Sequence, residues 1–288
     1  LATTLEILFY EEIPQEWDDL ISHKITLALK QFNKENYHTE DMRKAIQLAI
    51  LKGMKESTQP QHHMTPETVT MFIGFLAHHV TGSKQKIRIF DPACGSANLL
   101  TGVMRQLPQQ HIEGYASEID PTLLRLAVGY ANLQQLSIEF FHQDSLRPFL
   151  LDPVDLVVAD LPVGYYPDDE NAQSFSLKAK KGHSFAHHLF IEQSLTYMKE
   201  EAYAIFLIPE FLFESEQSEQ LRQFLHEHAH ITSKDHVKSI FIIQKQGANT
   251  NAPKQPLLAN LPSFQNKQAI EDIVEQINAW FVQYHQEQ

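Results

Sequence analysis

The stretch that decides the fold is "IRIFDPACGSANLL", residues 87–100. Its first four residues form a short apolar run, which is typical of a strand buried in a sheet. A turn containing Gly95 follows, and the residues after the turn have a helical pattern. A glycine lets the backbone approach a ligand closely, and a helix N-terminus favours negative charge nearby. The segment therefore predicts a strand, a tight turn and a helix, with the turn as a candidate binding loop.

Further apolar runs alternate with helical patterns along the rest of the chain. They are "IEGYAS" (112–117), "IEFF" (138–141), "DLVVA" (155–159), "AYAIFLI" (202–208) and "VKSIFIIQ" (237–244). Strands separated by helices predict an α/β fold with a doubly wound, mostly parallel, Rossmann-like sheet. In such sheets ligands bind at the carboxyl ends of the strands, so the functional residues are expected there.

The beginning of the chain has a different pattern. Residues 1–60 are predicted to form a small helical N-terminal domain and a linker, ahead of an α/β domain over residues 61–288. One predicted apolar stripe comprises Trp17, Ile21, Ile25, Ala28 and Phe32, and a second comprises Met42, Ile46, Ala49 and Ile50. Thr39 is the expected N-cap of the second helix. Thr65 is the expected N-cap of the next helix, with Pro66 in its first turn.

Composition limits the classes of function. The net charge of −13 argues against a protein that coats nucleic acid. The single cysteine, Cys94, excludes an internal disulfide and fits a reducing cytoplasm, although its place near a helix N-terminus would lower the pKa of a thiol. No apolar run approaches the ~18 residues of a membrane span. The histidines, including His226, His228 and His230 in a helical context, show no spacing typical of a metal site, so none is expected.

Acidic residues stand at the ends of four successive predicted strands. They are Asp91, Glu118, Asp144 and Asp160. Buried carboxylates without partners are costly, so a shared function is a better explanation than packing. An acid at the second strand end is suited to binding the two hydroxyls of a ribose. An acid at the third could accept a hydrogen bond from an adenine amino group.

These segments resemble those of class I S-adenosylmethionine-dependent methyltransferases, and specifically of the adenine-N6 DNA methyltransferases, including type I restriction-modification subunits. "HHMTPETV", "DPACGSANLL", "GYASEIDP" and "QDSL" match the family's order within residues 61–246. The resemblance implies S-adenosylmethionine as the cofactor. It implies binding roles for Thr65, Asp91, Pro92, Ala93, Cys94, Gly95, Glu118, Ile119, Asp144, Ser145 and Asp160. Ala97 stands where the family commonly has a second glycine, and its methyl group is expected to narrow the loop.

The tetrapeptide "DLPV", residues 160–163, occupies the position of the family's catalytic Asn/Asp-Pro-Pro-Tyr/Phe motif. The resemblance implies that the Asp160 side chain and the Leu161 carbonyl orient the acceptor nitrogen, and Pro162 is retained. Val163 replaces the aromatic residue on which a flipped base stacks, a contact worth about 1–3 kcal/mol. Tyr165 or Tyr166 could replace that ring, or both could simply pack the loop.

The resemblance implies methyl transfer to an exocyclic amine, with adenine in DNA as the first candidate. Two alternatives stay open. One is methylation of a glutamine side chain in a protein, and the other is a non-catalytic S-adenosylmethionine-binding protein, which Val163 and the acidic charge favour. The sequence does not determine the oligomeric state.

Little of the chain is available for reading a DNA sequence. Only residues 247–288 follow "FIIQKQ", and the chain after Ile231 is shorter than in the type I subunits, which predicts an absent segment there. The lysines of "SLKAKKGH" (176–183) could contact a phosphate backbone locally, although such a cluster is more often only solvated. Sequence specificity would then come from a separate partner protein.

Overall fold

The structure is a computed structural model. It describes residues 3, 7, 18–31, 38–56, 64–108, 111–214, 217–234, 239–259, 262 and 265–287. Trp17, Phe32 and most of the predicted linker lie outside the described residues. Among the described residues, no helix is both long and apolar enough to cross a membrane.

Helices and strands alternate through most of the described chain. The helices are α1 (Asp19–Gln31), α2 (Thr39–Glu56), α3 (Glu67–Thr81), α4 (Asn98–Gln106), α5 (Pro121–Leu133), α6 (Asp169–Ala172), α7 (Ala186–Tyr197), α8 (Ser218–His228) and α9 (Lys267–Glu287). The strands are β1 (Lys86–Asp91), β2 (His111–Glu118), β3 (Ile138–His142), β4 (Val154–Asp160), β5 (Met198–Ile208), β6 (Ala229–Lys234), β7 (Ser239–Lys245) and β8 (Leu257–Leu258). A 3₁₀ helix covers Glu210–Phe213.

The strands form one sheet in the order β3-β2-β1-β4-β5-β7-β6-β8. The strands from β1 to β5 pair in parallel, and β7 is antiparallel to both β5 and β6. The predicted α/β, mostly parallel, doubly wound sheet is therefore confirmed. Because parallel strands end at the same edge, Asp91, Glu118 and Asp160 lie at neighbouring strand ends, and Asp144 follows β3 by two positions.

Apolar layers cover both faces of the sheet. β4 has buried residues on both sides, with Leu156 and Val158 in one cluster and Val157 and Ala159 in the other. Residues of α3, α4 and α9 complete the first cluster, and residues of α7 and α8 complete the second. The continuous apolar run in β4 thus follows from burial on two faces, as expected for a central parallel strand.

The helices that precede the sheet differ from each other in their packing. Ile46 and Ile50 of α2 are buried against Tyr130 and its neighbours on α5, as expected for the second apolar stripe. The first stripe does not form a core among the described residues, because Ile21 and Ala28 of α1 are exposed. The boundary between a helical domain and the α/β domain near residue 60 stays a prediction.

Two local predictions were wrong. Thr65 does not cap α3: the helix begins at Glu67, the residue at its N-cap position is Pro66, and the Thr65 hydroxyl donates to Asp160 instead. His230 is not helical, because α8 ends at His228 and the backbone becomes extended at Ala229, where β6 begins. β6 was not predicted, because its mixed polar pattern does not indicate a buried strand. β6 includes both Ile231 and Thr232, and the predicted absence of a segment between these two residues stays a prediction.

Arg43 fixes α2 to the first turn of α3. Its guanidinium is 4% exposed and donates to both carboxylate oxygens of Glu67, at 2.8 and 2.6 Å, and to both of Glu40, at 2.9 and 2.7 Å. Paired bonds of this kind between a guanidinium and a carboxylate are the strong ones. These bonds raise the pKa of Arg43 despite its burial.

We predict that Arg43→Ala lowers the free energy of unfolding by about 1.5–3 kcal/mol, the range for hydrogen bonds to charged groups. Both carboxylates keep partial contact with water after the change, which argues for the lower part of that range. Urea unfolding would measure the difference. Lys44→Ala is the control, because Lys44 is 60% exposed and pairs with Glu40 at 3.7 Å only. An equal loss of unfolding free energy in both variants would show that the buried guanidinium does not stabilise the fold more than an exposed lysine does.

Candidate functional site

A cavity of about 630 Å³ lies at the carboxyl ends of the strands. Its lining includes every residue for which a cofactor-binding role was predicted: Thr65, Asp91, Pro92, Ala93, Cys94, Gly95, Glu118, Ile119, Asp144, Ser145 and Asp160. Of the predicted catalytic residues, Pro162, Val163 and Tyr165 also line it. The side chain of Leu161 does not, because it is buried in the core next to β4. The structure thus brings the predicted residues together, while their roles stay predictions.

The loop after β1 is fixed by hydrogen bonds to the end of β2. The backbone N–H of Cys94 donates to the Ser117 carbonyl at 3.0 Å, and that of Gly95 donates to Glu118 Oε2 at 2.8 Å. Gly95 has φ +55°, and a Cβ there would meet no heavy atom within 4 Å. Glycine is therefore favoured at this position by its backbone conformation, not by a lack of space.

Ala97 also adopts a left-handed conformation, with φ 59°. This conformation costs an alanine about 1–2 kcal/mol relative to a helical one, whereas glycine adopts it freely. The expected narrowing of the binding loop was wrong, because Ala97 is buried in the core and is not among the residues that line the cavity. A glycine would suit this position because of its dihedral angle.

Glu118 accepts hydrogen bonds from two backbone groups. Its Oε1 accepts from the N–H of Asp120 at 2.9 Å, and its Oε2 accepts from the N–H of Gly95. An ionised carboxylate has about four lone-pair positions, so two acceptor positions remain for a ligand. Ile119, the next residue, exposes most of its side chain in the cavity and offers an apolar surface. This combination fits a ribose beside a planar base.

Asp144 belongs to a polar cluster that the sequence analysis did not predict. Its Oδ2 accepts a hydrogen bond from the Tyr166 hydroxyl at 2.5 Å, and the Asn171 side chain donates to the same hydroxyl at 3.0 Å. Burial, followed by the bond to Asp144, raises the pKa of Tyr166 to about 12. Tyr166 is buried by these contacts, so it orients Asp144 and is not available to replace the ring missing at Val163.

Ser145 likewise has a structural contact. Its hydroxyl donates to the Pro92 carbonyl at 2.7 Å and so connects the loops that follow β3 and β1.

Arg147 is the one lysine or arginine among the described residues that line the cavity, and it forms an ion pair with Asp168. The carboxylates of Glu118 and Asp160 therefore give the lining of the cavity a negative character, which suits a cationic ligand.

Asp91 and Cys94 are buried beneath the loop. Burial, together with the nearby Glu118 and Asp160 carboxylates, raises the pKa of Asp91 well above its usual range. Burial, with Asp91 and Glu118 nearby, likewise raises the pKa of the Cys94 thiol. The expectation that a helix N-terminus lowers this thiol pKa was wrong, because α4 begins only at Asn98 and burial dominates. Cys94 therefore acts as a small packing residue.

The "DLPV" motif is attached to the sheet and to Thr65. The backbone N–H of Leu161 donates to the Leu207 carbonyl at 3.0 Å, which continues the β4–β5 pairing. The Thr65 hydroxyl donates to Asp160 Oδ2 at 3.0 Å. The Asp160 carboxylate is thereby held at the edge of the cavity, and Val163, 58% exposed, lies at its entrance.

Tyr165 is the aromatic residue at the same entrance. Its ring is 62% exposed and stacks on Phe185 with the ring centroids 5.0 Å apart and an interplanar angle of 15°. Phe185 in turn stacks on His187 at 5.1 Å. The backbone of Ala186 donates to the Gly164 carbonyl at 2.9 Å and holds the two segments together. The predicted candidate Tyr165 thus presents a supported ring face.

The buried histidines do not form a metal site. Burial lowers the pKa of His187 to about 3 and that of His188 to about 4, so both are neutral near pH 7. In the described parts of the chain, no group of three or more His, Cys, Asp or Glu residues could hold a metal ion.

Comparison with known proteins identifies the family to which this chain belongs. The family model described as N-6 DNA Methylase matches residues 52–243. The chain belongs to the N-6 DNA methylase family. A second model, described as the YtxK N-terminal helical domain, matches residues 1–54. Over 294 aligned residues the chain is 46% identical to the uncharacterized protein YtxK of Bacillus subtilis (strain 168), covering 98% of this chain and 89% of that protein.

Two solved structures share the fold. A Listeria monocytogenes protein assigned to the class I S-adenosylmethionine-dependent methyltransferases superposes with a TM-score of 0.91 at 38% identity, over 97% of this chain and 90% of that one. A type I restriction-modification methyltransferase subunit from Streptococcus thermophilus gives a TM-score of 0.66 at 14% identity, over 89% of this chain and 61% of that one. The present chain therefore has the class I methyltransferase fold, and the methyl donor used by this fold and family is S-adenosylmethionine.

The site fits this cofactor chemically. S-adenosylmethionine combines a ribose, an adenine and a cationic sulfonium, and supplies an electrophilic methyl group when bound. The free acceptor positions of Glu118 suit the ribose hydroxyls, and the exposed Ile119 suits the adenine face. The negative character of the cavity near Asp160 suits the sulfonium.

We predict that Glu118→Gln weakens S-adenosylmethionine binding by about tenfold to a hundredfold. The change replaces one carboxylate oxygen with an amide nitrogen and so removes one charge-assisted hydrogen bond to the ribose, worth about 1.5–3 kcal/mol, while it keeps the shape of the side chain. Calorimetric titration would measure the dissociation constant. Glu139→Gln, at an exposed acid on the neighbouring strand β3, is the matched control. An unchanged dissociation constant for Glu118→Gln would refute the ribose assignment.

Proposed function

We propose that this protein transfers a methyl group from S-adenosylmethionine to an exocyclic amino group, with adenine N6 in DNA as the first candidate acceptor. The observation that carries the proposal is the Asp160 carboxylate, held by Thr65 at the edge of the cavity and next to its entrance. The order of segments that resembles the adenine-N6 enzymes, and the match to the N-6 DNA methylase family, support it.

Asp160 and Leu161 orient the acceptor in this proposal. An exocyclic amine is a weak nucleophile, because its lone pair is delocalised into the ring. A carboxylate oxygen of Asp160 and the carbonyl of Leu161 accept hydrogen bonds from the two N–H groups and so direct the lone pair along the line of attack. The Asp160 carboxylate also stabilises the positive charge that develops on the nitrogen. The reaction is a direct displacement and needs no covalent intermediate with the protein.

Tyr165 supplies the ring face that Val163 lacks. It lies two residues after Val163, lines the same entrance and is supported from behind by Phe185 and His187. Stacking depends only on a π-face, so a ring from a neighbouring position of the loop can replace one at the family's usual position. Supported by this stack, Tyr165 loses little further freedom when a base binds.

In this proposal only one short loop of the protein contacts DNA. The loop of residues 176–183 is fixed by Glu192, which accepts hydrogen bonds from the backbone of Ser176 and Leu177 at 2.8 and 2.7 Å. It leaves Lys180 and Lys181 exposed, and the ring of His183 in the same loop lies 5.9 Å from that of Tyr165. A net charge of −13 opposes broader phosphate contact, so we propose that a separate specificity protein positions the DNA.

A second candidate acceptor is a glutamine side chain of a protein. Its amide nitrogen has the same delocalised lone pair. A release factor glutamine methyltransferase of Chlamydia trachomatis serovar L2 is 30% identical over 116 residues, or 40% of this chain and 39% of that protein. The acidic Asp168 and Asp169, close to Tyr165 in sequence, also favour a protein acceptor over a phosphate backbone.

We predict that Asp160→Ala abolishes methyl transfer while the dissociation constant for S-adenosylmethionine changes little. Asp160 orients the acceptor, whereas Glu118 provides the main polar contact with the cofactor. The measurement is incorporation of a radiolabelled methyl group into unmethylated genomic DNA, and in parallel into a protein extract. Asp152→Ala, which removes an exposed acid just before β4, is the control and is expected to keep full activity.

The outcome also selects the acceptor. Label in DNA supports the adenine proposal, label in protein selects the glutamine candidate, and cofactor binding without transfer to either selects the non-catalytic alternative. Retained activity in Asp160→Ala would show that another group orients the nitrogen.

We predict that Tyr165→Ala lowers the rate of transfer about fivefold to a hundredfold, the range that corresponds to loss of one stacking contact. Tyr165→Phe keeps the ring face and should retain most of the activity. Cofactor affinity should be similar in both variants. Equal activities for the alanine and phenylalanine variants would exclude stacking on this ring.

A further inference from the structure

A chain of hydrogen bonds connects helix α2 with the cavity. The Gln47 side chain on α2 donates through Nε2 to Asn98 Oδ1 at 3.2 Å and to Glu67 Oε2 at 3.0 Å. Gln47 does not line the cavity, whereas Asn98 does. Since Arg43 binds the same Glu67 carboxylate, the position of Gln47 is fixed by the attachment of α2 to α3.

Asn98 continues the chain to Thr65. Its side chain is buried, with 4% exposure, and its Nδ2 donates to the Thr65 carbonyl at 2.7 Å. The Tyr130 hydroxyl also approaches Asn98 Oδ1, but at 3.4 Å. A buried amide is oriented by its hydrogen-bond partners, so Gln47 helps to decide which way Asn98 presents its N–H groups. The hydroxyl of Thr65 then holds Asp160.

We propose that Gln47 and Asn98 are positioning residues for the methyl-transfer site. Together they place Thr65, which itself lines the cavity, in the arrangement that binds the cofactor. Helix α2 and the cofactor site are therefore energetically coupled, and the attachment of α2 is part of the binding-competent state. This inference rests on the proposed function, because it assumes that the cavity binds S-adenosylmethionine at Thr65.

Gln47→Ala tests the coupling from outside the cavity. We expect it to raise the dissociation constant for S-adenosylmethionine about three- to tenfold, a typical size for coupling within one hydrogen-bond network. Lys44→Ala, on the same helix and exposed, should leave the constant unchanged. Gln47 is chosen because a change at the buried Asn98 could prevent folding. Thermal unfolding would confirm that each variant is folded at the titration temperature.

A double-mutant cycle with Thr65→Val tests whether Gln47 and Thr65 act through one chain of hydrogen bonds. The alternative is that each substitution changes the dissociation constant independently. Valine removes the hydroxyl but keeps the shape, and Thr65→Ser restores the hydroxyl. If Gln47 acts through Thr65, Gln47→Ala should have little further effect on the dissociation constant in the Thr65→Val protein and its full effect in the Thr65→Ser protein.

The results distinguish failure of this inference from failure of the proposed function. Absence of S-adenosylmethionine binding by the unmodified protein would overturn both. If the unmodified protein binds S-adenosylmethionine normally, three results would overturn the coupling alone. They are no effect of Gln47→Ala on the dissociation constant, an equal effect of Lys44→Ala, or effects of Gln47→Ala and Thr65→Val that multiply.

Discussion

The parallel pairing of β1, β2, β3 and β4 is the constraint on which the rest of the site depends. Parallel strands end at a common edge, so the acids that follow them in sequence meet around one cavity. Burial of β4 on both faces fixes its position, because its alternate residues pack into different cores. A shift of one residue would exchange the two faces and would move Asp160 away from Thr65.

Carboxylates gathered in this way repel one another, and the fold compensates with hydrogen bonds. Glu118 accepts bonds from two backbone N–H groups, and Asp144 accepts a bond from the Tyr166 hydroxyl. Asp91 is buried and its pKa is raised, so its negative charge is suppressed. The cavity thereby keeps a negative character suited to a sulfonium without several uncompensated charges in its wall.

The departures from the family's motifs differ in where they lie: Ala97, in the loop after β1, does not line the cavity, whereas Val163 lies at its entrance. Gly95, Glu118 and Ile119, for which cofactor contacts are predicted, line the cavity, whereas Val163 provides no ring at the entrance. Tyr165, stacked on Phe185, presents a ring face at the same entrance. The cofactor side of the site is held by backbone hydrogen bonds, so it tolerates little change in sequence. The entrance is formed by a loop, so its sequence can change together with the methyl acceptor.

The sequence by itself determined the alternation of strands and helices, the parallel sheet and the set of acids at its strand ends, because periodicity and turn residues report local structure and burial. Only the tertiary structure decided how these acids are held. Thr65 and Asp160 are 95 positions apart, and their bond replaced the helix cap expected from local sequence. The contacts of Asn98 with Thr65, of Tyr166 with Asp144 and of Phe185 with Tyr165 were not predicted for the same reason: the partners are distant in the chain and only the packed sheet brings them together. β6 was missed because its mixed polar pattern does not indicate burial, and its pairing with β7 defines it as a strand.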